Sequence, residues 1–137
     1  MSQENVEIVR QLYDAIAHRD SATVLAFYDP EVECDYSRVG WGDLTGPGVY
    51  FGHEGLRSVY REWYEAWEDY EEELEELIEA GDKVISIVTG RGRGRASGVE
   101  VENAHHGGVW TIREGKIIRV AWFPTRAEAL EAAGLKD

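Results

Sequence analysis

Apolar residues recur at helical spacing in the first half of the chain and alternate with a period of two in the last third. Val6, Val9, Tyr13 and Ile16 form one helical stripe, which Ile8, Leu12 and Ala15 widen. Ser2 is placed to cap this helix, with Glu4 near its positive end. Asp20-Ser21 reads as a break and a new N-cap. Val24, Leu25, Phe27 and Tyr28 then define a short second helix. Pro30 ends it, because the residue before a proline is pushed out of the helical region. Val32-Glu33-Cys34-Asp35-Tyr36 alternates as a strand, with Val32, Cys34 and Tyr36 on one face and Glu33 and Asp35 on the other. Gly40, Gly42, Gly46, Pro47, Gly48 and Gly52 make the next stretch a loop. A third helix follows from about His53 to Trp67, with Leu56, Val59, Tyr60, Trp63 and Trp67 on one face.

Residues 68–79 carry eight acidic side chains. Leu74, Leu77 and Ile78 fit a helix, whereas Leu74, Glu76 and Ile78 fit a strand, so local pattern leaves both open. Gly81-Asp82 is a turn, and a β-meander follows: Lys83 to Ala96, Val99 to Ile112 and Lys116 to Phe123. Pro124 stops the last strand, and Arg126 to Ala133 forms a terminal helix ending at Gly134. At Arg113-Glu114-Gly115 a two-residue turn sets Trp110 opposite Arg119, and a three-residue turn sets it opposite Ile118. The second gathers Trp110, Ile112, Ile118, Val120 and Trp122 on one face, with His106 facing Trp122, and is favoured. A two-residue Ser97-Gly98 turn pairs Arg95 with Glu100 and Arg93 with Glu102. It leaves Arg91 opposite Ala104 as a candidate anion contact. Helices first and an antiparallel meander afterwards place the chain in the α+β class, as one domain over residues 1–137.

Charge and composition narrow the function classes. The net charge of −13 opposes nucleic acid and anionic membranes, and no apolar run is long enough to span a bilayer. The polar, acidic N-terminus is not a secretory signal, and the single Cys34 allows no internal disulfide and no cysteine-based metal site. These features point to the cytoplasm and to no bound metal.

His106 is the strongest candidate acid or base, since imidazole titrates near neutral pH and this one faces the aromatic side of the sheet. The competing reading is a hydrogen-bonded histidine at a pocket edge. His105 points the other way, with Asn103, which makes the pair a poor metal chelate; His53 is a surface residue at a helix start. Asp35 and Glu33 are solvated if the strand faces as read, and Asp35 becomes the alternative base if it is flipped. Glu76 points inward or stays exposed with its acidic neighbours. Cys34 is a small buried hydrophobe or, with an electropositive neighbour, a nucleophile. Tyr13, Tyr28, Cys34, Tyr36, Trp63, Trp67, Trp110 and Trp122 are the expected lining of a pocket for a flat, apolar ligand.

Glu4-Asn5-Val6-Glu7-Ile8-Val9, Asp29-Pro30-Glu31-Val32-Glu33, Gly52-His53-Glu54-Gly55-Leu56 and Ala80-Gly81-Asp82-Lys83-Val84 occur in this order, followed by Val109-Trp110-Thr111, Gly115-Lys116-Ile117 and Arg126-Ala127-Glu128-Ala129-Leu130. This succession resembles the SnoaL-like branch of the nuclear-transport-factor-like superfamily. The resemblance implies a cone-shaped α+β barrel: three N-terminal helices on a strongly curved mixed sheet, a short C-terminal helix and an apolar pocket. It also implies a strand over residues 70–80, homodimers through the sheet, and cofactor-independent chemistry. The family includes polyketide cyclases, ketosteroid isomerases and limonene epoxide hydrolases, so fold constrains function weakly. The tyrosine and the two carboxyl groups that ketosteroid isomerases use fall on Leu12, Cys34 and Gly108, which opposes that mechanism. The Asp-Arg-Asp set of limonene epoxide hydrolases has no counterpart. Two functions remain: binding, with or without catalysis through His106, of a small hydrophobic molecule, polycyclic ones included, or a non-catalytic dimerisation or partner-binding module.

Overall fold

A computed structural model describes residues 2–39 and 48–135. Gly40, Gly42, Gly46 and Pro47 of the expected loop lie outside the described residues, as does the side chain of Ser2. The elements are α1 (Ser2–Ala17), α2 (Ser21–Ala26), β1 (Tyr28–Asp35), β2 (Val49–Phe51), α3 (Gly52–Ala66), β3 (Trp67–Ala80), β4 (Lys83–Gly94), β5 (Glu100–Arg113), β6 (Lys116–Phe123) and α4 (Arg126–Ala132). The six strands form one open, curved sheet in the order β2-β1-β6-β5-β4-β3. All neighbours are antiparallel except β1 and β6, so the sheet is mixed and the α+β class holds.

The two faces bury different cores. On the inner face Val9 and Leu12 of α1, Leu56 and Val59 of α3, and Val32, Cys34, Trp110 and Val120 of the sheet pack into one cluster. On the outer face Ile85, Ile87, Val109, Ala121 and Phe123 pack beneath Ala129 of α4. Thr125 caps α4 by accepting from the Glu128 N–H, as an N-cap threonine does.

Several boundaries and registers differ from the sequence reading, each for a local reason. α2 ends at Ala26 with Phe27 as its C-cap, so Tyr28 opens β1 and Pro30 lies within that strand. The β1–β6 ladder shifts register between Tyr28 and Glu33, where a residue without an N–H is tolerated. Trp67 is extended and opens β3 rather than closing α3. At the β5–β6 corner the tight turn prevails: Arg113 pairs with Lys116, and Glu114 and Gly115 both have positive φ, as a two-residue hairpin requires. Ile118 is then the extra residue of a bulge, which restores the apolar face with Ile112 opposite Ile117 and Trp110 opposite Val120. The expected partnership of Trp110 with Ile118 is therefore off by two residues, although Trp110 and Trp122 do share a face.

The β4–β5 turn also moves the ladder by two. Arg93 pairs with Glu100, and Arg91 pairs with Glu102 through a 2.7 Å hydrogen bond, which removes the anion contact expected at Arg91. Arg95 instead donates to the carbonyls of Glu65 and Trp67, at 3.2 and 2.8 Å. The last carbonyls of a helix lack intrahelical partners, and Arg95 supplies donors to those at the end of α3.

Gly107 sits directly under α4, where an added Cβ would collide with the Cβ of Ala129. Neither atom can rotate away, so Gly107→Ala is expected to lift the helix and destabilise the fold by about 1–3 kcal/mol. Urea denaturation of the variant against wild type measures this; an unchanged midpoint would contradict the close packing of α4.

Candidate functional site

The cavity lies where the inner sheet face meets α1 and α3, and most of its lining is aromatic. β5 and β6 supply Trp110, His106, Val120 and Trp122; β1 and the residue after it supply Tyr28 and Tyr36. α1 adds Tyr13 and Ile16, α3 adds Val59, Tyr60, Trp63 and Tyr64, and β3 closes the wall with Tyr70 and Glu72. The enclosed space is about 70 Å³. That holds several waters or one small flat group, below the several hundred Å³ of drug-sized sites. Past Tyr64, Tyr70 and Glu72 it adjoins a cleft of about 520 Å³ between α1 and β3.

The rings lock one another. Trp110 is edge-on to Trp122 at 5.7 Å and to Tyr13 at 5.9 Å, and Trp122 stacks on Tyr36 at 6.5 Å. Ser86 is a buried hydroxyl in an otherwise apolar stretch of β4. It accepts the Trp110 indole N–H at 2.8 Å and shares a hydrogen bond with the Tyr13 hydroxyl at 2.9 Å. The hydroxyls of Tyr28 and Tyr60 meet at 3.1 Å. Burial raises the phenols of Tyr13, Tyr28, Tyr36 and Tyr60, so each is a neutral hydrogen-bond donor. Gly108, opposite Trp122, makes room for that ring, since a Cβ there would stand 3.0 Å from its edge.

Two titratable groups line the same space. His106 is buried, 5.4 Å from the Trp122 ring, and its Nδ1 lies 3.1 Å from the Asn103 carbonyl. A carbonyl only accepts, so Nδ1 carries the proton and Nε2 holds the lone pair of the neutral ring. Burial lowers the pKa of His106, against the opposing effect of that hydrogen bond, so the neutral form is favoured. Glu72 lies at the rim. The residue as a whole is exposed, yet its carboxyl is crowded by the aromatic wall, and burial pushes it from 4.5 up to about 7.

Other sequence candidates lie elsewhere. Tyr13, Tyr28, Tyr36, Trp63, Trp110 and Trp122 line the cavity, whereas Cys34 and Trp67 do not. Cys34 is buried in the inner core, and burial, with Glu33 nearby, pushes its thiol up to about 12. Trp67 packs instead against Trp63, Tyr70 and the bare backbone of Gly92. Asp35 faces away from the cavity with Glu33, where both bind Arg119, at 3.2 and 3.1 Å. Burial alone would raise its carboxyl, but the Ser37 hydrogen bonds and the Arg119 charge hold it below the usual range. Glu76 is also outside, bonded to Arg126 at 2.7 Å. His105 bonds Glu75 at 2.7 Å on the side away from His106, and the His53 ring reaches the Tyr28 carbonyl at 2.9 Å. Among the described residues no cluster of His, Cys, Asp or Glu is arranged to hold a metal, and no helix is long and apolar enough to cross a membrane.

Sequence reasoning missed Glu72, Tyr64, Tyr70 and Ser86. Ser86 carried a signal: it interrupts the run from Val84 to Val88 at the parity of the inner face. Glu72 carried none, because seven other acidic residues surround it.

Ser86→Ala leaves the Trp110 N–H and the Tyr13 hydroxyl without their shared partner. It is expected to destabilise the fold by about 1–3 kcal/mol, read from urea denaturation. Glu72 generates a pH signature. Its raised pKa stabilises the fold below about pH 4.5, and that contribution is lost as pH rises through about 7. Glu72→Gln should therefore gain on wild type as pH increases across this window. Thermal melts from acid to pH 8 check this, and a constant difference between the two proteins would contradict it.

Comparison with known proteins now places the chain. A family model, the SnoaL-like domain, matches residues 9–120. No curated protein matches. Among solved structures, an NTF2-like protein from Burkholderia thailandensis is 30% identical with a TM-score of 0.74, covering 86% of this chain and 88% of that one. An NTF2-like protein of unknown function from Burkholderia pseudomallei is 23% identical with a TM-score of 0.78, covering 96% and 97%. TerC, co-crystallized with polyporic acid, is 24% identical with a TM-score of 0.76, covering 88% and 90%. Fold, family model and sequence likeness agree: the chain belongs to the SnoaL-like domain family, with the NTF2-like fold.

Proposed function

We propose that this protein binds a small, flat, largely apolar molecule among the aromatic rings and moves a proton on it without a cofactor. The observation that carries this reading is a neutral imidazole and a carboxyl of raised pKa lining one aromatic cavity. Environments that hold an acid protonated and a base unprotonated at the same pH are what proton transfer needs. His106 Nε2 takes a proton from a carbon next to a ligand carbonyl, and the electron pair moves onto the carbonyl oxygen. A tyrosine hydroxyl or protonated Glu72 donates a hydrogen bond to that oxygen. The imidazolium then returns its proton to the ligand, which leaves the enzyme unchanged and completes an isomerisation or a step of ring closure. Six of the eight expected lining residues border the cavity, which supports an aromatic ligand. A protein of the same fold, TerC, has been co-crystallized with polyporic acid, which supports a small organic ligand here. A ligand larger than the enclosed space extends into the adjoining cleft.

A purely binding role, including homodimerisation through the sheet, draws support from one observation. The positions where ketosteroid isomerases carry their chemistry hold Leu12, Cys34 and Gly108, of which two are buried core and one is a spacer for Trp122.

Tetralone and anthrone are suitable probes, because each is flat and has an exchangeable C–H next to its carbonyl. Each should raise the melting temperature by mass action. Exchange of that C–H in heavy water, followed by NMR, should be accelerated by wild type. His106→Asn should slow it by about 100-fold or more while leaving the thermal shift. Binding without His106-dependent exchange favours the non-catalytic role, and no thermal shift with either probe or with a wider panel of apolar molecules overturns the cavity as a binding site.

A further inference from the structure

Behind the cavity wall lies a second concavity that the reading above does not use. α1 contributes Ile16 and, just beyond its end, Arg19; α2 contributes Ser21, Val24 and Leu25; α3 contributes Arg57, Tyr60, Arg61 and Tyr64. The α3 residues are spaced by three and four, so they form one stripe of that helix. The groove measures about 360 Å³, within the range of small-molecule sites and larger than the enclosed cavity. Ile16, Tyr60 and Tyr64 belong to both, so these three side chains form the partition between groove and cavity.

Its charge is unlike that of the rest of the molecule. The chain carries −13, and arginines elsewhere are tied to carboxylates: in the sheet Arg91 to Glu102, Arg93 to Glu100 and Arg119 to Glu33 and Asp35, and in α4 Arg126 to Glu76. Three arginines, Arg19, Arg57 and Arg61, border the groove beside Ile16, Val24, Leu25, Tyr60 and Tyr64. Arg57 and Arg61 are exposed and form no ion pair with another described residue, and the Arg19 guanidinium lies 4.3 Å above the Tyr64 ring. Of the acids adjacent in sequence to these arginines, Asp20 is occupied by the N–H and hydroxyl of Thr23, and Glu62 accepts from the Tyr50 hydroxyl. Guanidinium groups recognise planar carboxylates through paired hydrogen bonds, and an apolar floor beside them selects a ligand with a hydrophobic body.

We infer that the groove between α1, α2 and α3 is an anion site for an amphipathic carboxylate, with Arg57 and Arg61 holding the charged end and the apolar body lying against Ile16, Leu25, Tyr60 and Tyr64. This deepens the cavity reading, on which it rests, by making the ligand an aromatic acid rather than any apolar molecule. The body of such a ligand abuts the partition formed by Tyr60 and Tyr64, on whose other side lies the cavity. The field of the whole chain repels anions, so carboxylate binding here requires a local site.

Isothermal titration with naphthoate and with naphthamide, its neutral isostere, tests the assignment. Wild type should bind naphthoate at least about tenfold more tightly than naphthamide, and added sodium chloride should shrink that ratio. Arg57→Gln combined with Arg61→Gln should bring naphthoate down to the level of naphthamide; both residues are exposed, and the melting temperature of the double variant verifies its fold. Equal affinity of wild type for the two probes overturns the anion site and leaves the apolar cavity standing. Binding of neither probe overturns both readings. A carboxylate preference that survives in the double variant overturns the role given to these two arginines.

Discussion

Between Leu74 and Glu76, β3 carries one residue more than the β4 segment it pairs with. A strand presents alternate side chains to opposite faces, so a single extra residue reverses the facing of everything beyond it. Before that bulge Glu72 and Leu74 lie opposite Gly90 and Val88 on the inner face. After it Leu77 takes the inner position opposite Ser86, while Glu76 and Ile78 turn outward against Ile87 and Ile85. The same device operates at His105, whose φ of 51° marks the bulge of β5, and at Ile118 in β6. The first bulge brings one carboxyl into the cavity and sends the next to Arg126. The second brings Asn103 opposite Gly90 while His106 stays opposite Val88, and the third returns the apolar set of β6 to Trp110.

The acidic composition is distributed by this pleating. Carboxylates on the outer face and at the β4–β5 hairpin meet arginines, and such cross-strand pairs contribute roughly 0.2–1 kcal/mol each. Glu72 has no such partner among the described residues, and its environment favours the neutral acid. The inner face thus becomes a place where neutral hydroxyls, a neutral imidazole and a raised carboxyl coexist in a strongly anionic protein. Ser86 is the structural counterpart of that chemistry. It satisfies the buried polar atoms of Trp110 and Tyr13, and an unsatisfied donor there would cost about 1–3 kcal/mol.

Membership of the SnoaL-like family fixes the scaffold and leaves the chemistry to individual side chains. On the first strand, burial holds the Cys34 thiol up at about 12, and Gly108 gives its space to the Trp122 ring. The titratable groups of this chain instead reach the cavity from β3 and β5. The groove on the far side of Tyr60 and Tyr64 adds positive charge that no relative is needed to explain, since the spacing of Arg57, Tyr60, Arg61 and Tyr64 on one helix creates it.

The sequence by itself determined the order of the helices and of β1, β4, β5 and β6, the α+β class, and the shared facing of His106, Trp110 and Trp122, whereas β2 lies in the stretch read as a loop. Each follows from hydrophobic periodicity, which is a local property of the chain. The strand at residues 70–80 needed the family resemblance, because Leu74, Leu77 and Ile78 fit either period. Tertiary structure alone decided which strand residues oppose one another, where Tyr28 and Trp67 belong, and which acid enters the cavity. Bulges, caps and cross-strand partners are long-range choices: Arg95 left its ladder for the carbonyls at the end of α3, and Glu72 differs from Glu76 only through the bulge between them.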